Sequence, residues 1–102
     1  MPTLSPDAES VLGSLRALMP GLRREFPLHS LALFGSTVRG EAGPESDVDL
    51  LVDVDGSIGL EFVTLADRLE AALGRKVDLV SRRALKPALR KIIEEEAICV
   101  EA

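Results

Sequence analysis

The chain has 102 residues, a length suited to one domain with a core of its own and no need of disulfide or metal staples. Hydrophobic residues at 46% and charged residues at 28% fit an ordinary soluble globular protein. A net charge of −5, with no Trp and no Tyr, argues against a protein that coats nucleic acid, which needs a basic surface or stacking aromatics.

The charge is unevenly placed. Nine acids lie between residues 41 and 70, answered by Arg68 and, just outside, by Arg39. Seven bases then lie between residues 75 and 91, with Asp78 as the lone acid among them. Cys99 is the only cysteine, so no internal disulfide is expected and a reducing cytoplasm fits. Its apolar terminal run suggests a core position. The first residues show no signal-peptide pattern, and no apolar run approaches the length of a membrane span.

Ser5-Pro6-Asp7 is a helix start, with a capping hydroxyl, proline in the first turn and an acid at the positive end of the dipole. Val11, Leu12, Leu15, Leu18 and Met19 follow at helical spacing. Pro20-Gly21 is expected to kink or break that helix, with Leu22 to Phe26 as its continuation if it resumes, and Pro27 to end it. Residues 28–34 are apolar and bounded by Pro and Gly, which predicts a buried strand. Residues 35–40 read as a turn running into a brief helix, and residues 42–46 as a loop. Residues 47–55 give the clearest strand, with Val48, Leu50, Val52 and Val54 on one face and Asp47, Asp49, Asp53 and Asp55 on the other. Leu51 shares the acidic face, so part of that face should be covered.

Phe62, Leu65, Ala66, Leu69 and Leu73 form a helical stripe closed by Gly74. Residues 77–80 form a third strand carrying Asp78. Ser81 is expected to cap the basic segment beyond it, with Leu85, Leu89, Ile92 and Ile93 facing inward. Residues 97–100 read as a fourth strand or a packed tail. The expected fold is therefore α/β or α+β, a small mixed sheet with helices on one or both faces.

The chemistry concentrates at residues 34–50. Asp47 and Asp49, two apart on a strand, point to the same face at its rim. At ~4 Å and an effective dielectric near 20, two such charges repel by roughly 4 kcal/mol. That cost calls for a cation or intervening solvent. Alone, the pair reads best as a solvated strand start. Asp78, in an otherwise apolar strand, shifts the balance: next to the Asp47 strand, it could join the same site as third ligand or general base. Its plainer reading is an ion pair with Arg75, Lys76 or a later base.

Gly35 allows a close turn, Ser36 offers a hydroxyl and an amide to phosphate oxygens, and Arg39 can reach back as a cationic clamp. Other sites lack their parts. There is no Walker A lysine, no dinucleotide-binding glycine pattern and no nucleophile elbow. His29 reads as a surface strand start, and one Cys with one His makes a zinc site implausible.

Taken together, Gly35-Ser36-x-x-Arg39-Gly40, Ser46-Asp47-x-Asp49 and the later Asp78 resemble the minimal nucleotidyltransferases of the DNA polymerase beta superfamily, over nearly the whole chain. The resemblance implies two Mg2+ ions held by Asp47, Asp49 and Asp78. It places Gly35 and Ser36 at the triphosphate of ATP, with Arg39 and Ser46 beside them. It further implies transfer of AMP to a hydroxyl with pyrophosphate leaving. Small members resemble antitoxins that adenylylate a tyrosine of a helical HEPN-type toxin. With no tyrosine in this chain, such an acceptor would come from a partner protein. The second domain that helps larger relatives bind their acceptor has no room here. Two rival expectations stand beside this one. A binding module could neutralise a partner by masking it, with a weak or dead site. More remotely, the basic segment from Arg82 to Lys91 could carry RNA to be extended.

Overall fold

A computed structural model describes residues 5–41, 47–54 and 59–100. Helix α1 (Pro6–Glu25) starts at Ser5, whose hydroxyl accepts the Ala8 N–H at 3.1 Å, with Pro6 inside the first turn. Ala8, Val11, Leu12, Leu15, Met19 and Leu22 make its buried stripe. The helix does not break at Pro20, and Leu22 to Glu25 continue it. The ring removes one hydrogen bond, to the Arg16 carbonyl, but Met19 and Leu22 on either side of it are both buried. Tertiary burial of that stripe outweighs the local cost, and the helix continues to Glu25.

Strand β1 (Leu28–Phe34) leads through Gly35 into the single turn α2 (Ser36–Arg39). Strand β2 (Val48–Val54), helix α3 (Gly59–Leu73) and strand β3 (Val77–Ser81) follow, and β2 and β3 run parallel. A 3-10 turn (Arg82–Ala84), helix α4 (Pro87–Glu96) and strand β4 (Ile98–Cys99) complete the order. The four strands form one mixed sheet in the order β3-β2-β1-β4, with β1 antiparallel to both β2 and β4. The mixed sheet with packed helices is the α+β architecture expected from the sequence.

The core lies on one face of that sheet. Leu31 and Leu33 of β1 and Val48, Leu50, Val52 and Val54 of β2 pack there against α1 and against Leu65 and Leu69 of α3. Strand alternation sends Phe34, Asp49, Leu51 and Asp53 to the other face. Leu51 is buried there, as the interruption of the acidic pattern suggested. The 3-10 turn and the last turn of α4 are tied to this second face by ionic contacts. Arg83 Nε donates to Asp53 at 2.9 Å, with Arg82 3.9 Å from the same carboxylate and also donating to Glu94 at 2.8 Å. Glu96 closes the far end against Arg39 and Gly35.

Three local expectations are corrected. Ser81 ends β3 and caps nothing through its side chain. Leu89 and Ile92, at 48% and 64% exposure, face outward, whereas Leu85 and Ile93 are half-buried. Cys99 is exposed on β4, since strand alternation turns its neighbour Val100 inward instead. Among the described residues no helix is long and apolar enough to cross a membrane.

An unbroken α1 has a measurable consequence. Pro20 is exposed and costs its helix a hydrogen bond. Pro20→Ala should therefore stabilise the protein by about 1–3 kcal/mol, a rise of several degrees in Tm by calorimetry. An unchanged or lower Tm would mean that the proline conformation is already accommodated without cost.

Candidate functional site

The site forms where three strand ends meet. Because β1 is antiparallel to β2 and β3 parallel to it, the end of β1 lies beside the starts of the other two. Asp49 pairs with Phe34 on one side and with Asp78 on the other. One sheet edge thus carries Gly35, Asp47, Asp49 and Asp78. The sequence could place the two acidic strands separately; only the parallel pairing brings Asp78 into register with Asp49.

Gly35 adopts φ +80°, a left-handed conformation that side chains rarely tolerate. The stronger constraint is steric. A Cβ at this position would stand 2.0 Å from Asp49 Oδ2 and 2.9 Å from its Cγ. The carboxylate of Asp49 therefore rests directly on the backbone that opens α2. Gly40, at φ +74°, closes the same turn, its N–H directed at the Thr37 carbonyl at 3.3 Å. Thr37 turns inward and is 1% exposed, which anchors the short helix. Ser36, half-buried, is its first residue.

Asp49 is half-buried, whereas Asp47 and Asp78 are exposed. Burial pushes the Asp49 carboxyl above its usual range, and the charges of Asp78 and Asp47 push it further; Arg39 opposes them. None of the three acids makes an ion pair or hydrogen bond with another described side chain. Among the described residues Asp78 pairs with none of the bases named for its plainer role: Arg75 donates to Asp7 at 2.8 Å, Arg82 to Glu94 and Arg83 to Asp53. Among the described residues, no three acids are drawn in around one metal position. The donor set still fits a hard divalent cation such as Mg2+. That ion is typically held by one or two carboxylates together with phosphate and water oxygens, and it needs no closed protein cage. Ser46 lies outside the described residues.

Arg39 stands beside the acids and is engaged. Its Nη1 donates to Glu96 Oε1, and its Nε to Glu41 at 3.3 Å. Glu96 also accepts the Gly35 N–H at 3.4 Å. Sequence reasoning missed Glu96, although a signal was present. Glu94, Glu95 and Glu96 crowd the last turn of α4, the end where the helix dipole disfavours acids. Two of the three are there because each meets an arginine. Asp53 was likewise unassigned, and it anchors Arg83 and Arg82 instead of facing the site.

Known proteins resemble this chain in sequence and in fold. Residues 15–100 match the family model described as a nucleotidyltransferase domain. Protein adenylyltransferase MntA of Thermococcus cleftensis is 41% identical over 93 residues, covering 90% of this chain and 94% of that protein. A solved structure named as a minimal nucleotidyltransferase superposes with a TM-score of 0.77 at 39% identity, over 90% of this chain and 94% of that one. An MNT antitoxin structure, from a complex with a tri-AMPylated HEPN toxin of Shewanella oneidensis, gives a TM-score of 0.67 at 25% identity, over 91% of this chain and 71% of that one. With a model match spanning most of its length and a relative at this identity, the chain belongs to the nucleotidyltransferase domain family.

Proposed function

We propose that this nucleotidyltransferase moves the AMP of ATP onto a hydroxyl of a partner protein, a HEPN-type toxin, and acts as its antitoxin. The observation that carries the chemistry is the contact of the Asp49 carboxylate with the Gly35 backbone, in register with Asp78. It sets a group able to hold a cation against a turn able to hold phosphate. The partner is supported by the relatives: one is named a protein adenylyltransferase, and another is the antitoxin of an AMPylated toxin complex.

In this reading Ser36 and Arg39 hold the phosphates, through a hydroxyl, an amide and a guanidinium. Asp47, Asp49 and Asp78 would hold Mg2+, with two ions expected. Bound there, the metal supplies positive charge that polarises the phosphoryl oxygens and offsets the charge developing on the leaving group. Asp78, the most open of the register partners, accepts the proton of the acceptor hydroxyl. The new bond joins that oxygen to the α-phosphorus as the bond to pyrophosphate breaks. With no tyrosine in the chain, a tyrosine acceptor belongs to the partner. A reducing cytoplasm suits a chain whose one cysteine is exposed and unpaired.

Labelled ATP, Mg2+ and the protein encoded beside this one provide the direct test. Asp47→Ala together with Asp49→Ala should lower label transfer by at least about 10³-fold, since each metal supplies several kcal/mol to the transition state. Undiminished transfer would sink the mechanism. Rescue of growth by the double variant, without transfer, would instead favour a module that masks its partner.

Gly35→Ala should weaken ATP binding by about tenfold or more in equilibrium titrations. It must both strain a positive φ, at about 1–2 kcal/mol, and push Asp49 off the turn. Unaltered affinity would separate Gly35 from the nucleotide.

Asp49 also predicts a pH dependence. Its folded-state pKa is raised, so the folded chain binds the proton more tightly than the unfolded one. Stability contributed by the protonated form is then lost as pH rises from the ordinary carboxylate range through the raised value. With chelator present, Asp49→Asn should raise Tm at neutral pH by a few degrees, under ~1 kcal/mol after solvent screening. The gain should vanish toward pH 4, below which the carboxyl is protonated in both states. Equal Tm values at both pH values would show that Asp49 carries no such penalty.

A further inference from the structure

The turn proposed to hold phosphate already holds an anion, and it is the chain's own. Glu96, the last residue of α4, sets one carboxylate oxygen 3.4 Å from the Gly35 nitrogen and the other on Arg39 Nη1. A backbone amide and a guanidinium form the donor pair that suits a phosphate oxygen. One carboxylate bridging both is bound as a phosphate would be. Glu41 also meets Arg39, at 3.3 Å, but makes no such bond to Gly35.

The main chain just beyond Glu96 is firmly held. The Ala97 N–H reaches the Ile93 carbonyl at 2.9 Å, and Ile98 and Cys99 pair with Leu33 and Ala32 of β1. The Val100 N–H reaches the Leu31 carbonyl at 2.8 Å, and its side chain is 2% exposed. Helix α4 is therefore pinned at this end, and the carboxylate can leave by rotation of its own side chain, which is 26% exposed. Nothing in the core has to move.

We propose that Glu96 sets the affinity of this site for polyphosphate by competing with it: its carboxylate holds the Gly35–Arg39 donor pair and must swing away before phosphate oxygens can take those donors. The inference rests on the reading of that pair as the phosphate half of the site. It gives an acid at the unfavourable end of a helix a role that packing does not supply.

Calorimetric titration of the full chain with sodium tripolyphosphate, without divalent metal, tests it. Glu96→Gln should bind about tenfold more tightly than the parent chain, the scale of one hydrogen bond to a charged group. Glu96→Asp, one methylene shorter, should also bind more tightly, so the test survives if one variant folds poorly. Glu95→Gln removes the same charge from the adjacent exposed position and should bind within about twofold of the parent, because a screened surface charge contributes little. Equal or weaker binding by both Glu96 variants would overturn the proposal, as would an equal gain from Glu95→Gln. Absence of tripolyphosphate binding in a chain that still transfers AMP would overturn this inference alone. Absence of both binding and transfer would remove the functional reading with it.

Discussion

The close approach of Asp49 to the Gly35 backbone is the constraint on which the site depends. A single added methyl group at residue 35 would overlap the carboxylate. The turn from β1 into α2 and the start of β2 are therefore in direct contact, with no space for a side chain between them. Around this contact the sheet assembles two unlike halves. Backbone amides, a hydroxyl and an arginine lie at the end of β1, and carboxylates lie at the starts of β2 and β3. The acids pair with no base among the described residues, whereas Arg39 is answered by Glu96 and Glu41.

A second set of ionic contacts places the layer above the sheet. Arg83 and Arg82 meet Asp53, Arg82 also meets Glu94, and Arg39 meets Glu96. These groups are partly exposed, so each pair contributes little stability on its own. Their value is positional: Arg82 and Arg83 join the 3-10 turn to β2 and to the last turn of α4, while the pairing of β4 with β1 holds the end of that helix. The same pairs explain the uneven charge along the chain. Part of the acidic block and part of the basic block meet each other, so the basic block is not simply a free cationic surface.

Much of the architecture was legible because it follows from local patterns. The cap at Ser5, the stripe from Val11 to Leu22, the alternation through β2 and the stop at Gly74 each reflect spacing that one element imposes on its own residues. The failures have a common cause. Pro20 has a poor local propensity, yet the burial of Met19 and Leu22 carries the helix past it. Leu89 and Ile92 look like an inward stripe with Leu85 and Ile93, but they face outward. Cys99 sits in an apolar run whose alternation buries Val100 instead.

The sequence by itself determined the pieces of the site: a glycine-serine turn, an arginine one turn on, a pair of aspartates two apart and a third in an apolar strand. Strand periodicity alone places Asp47 and Asp49 toward one side, because alternation is a property of the single strand. Only the tertiary structure decided that Asp78 stands in register with Asp49, since pairing between distant strands is set by the crossover through α3 and not by either strand's residues. It decided as well that Glu96 reaches Gly35 and Arg39, 61 and 57 residues away in the chain. No spacing rule spans such separations. They arise because β4 returns to pair with β1 and carries the end of α4 to the turn.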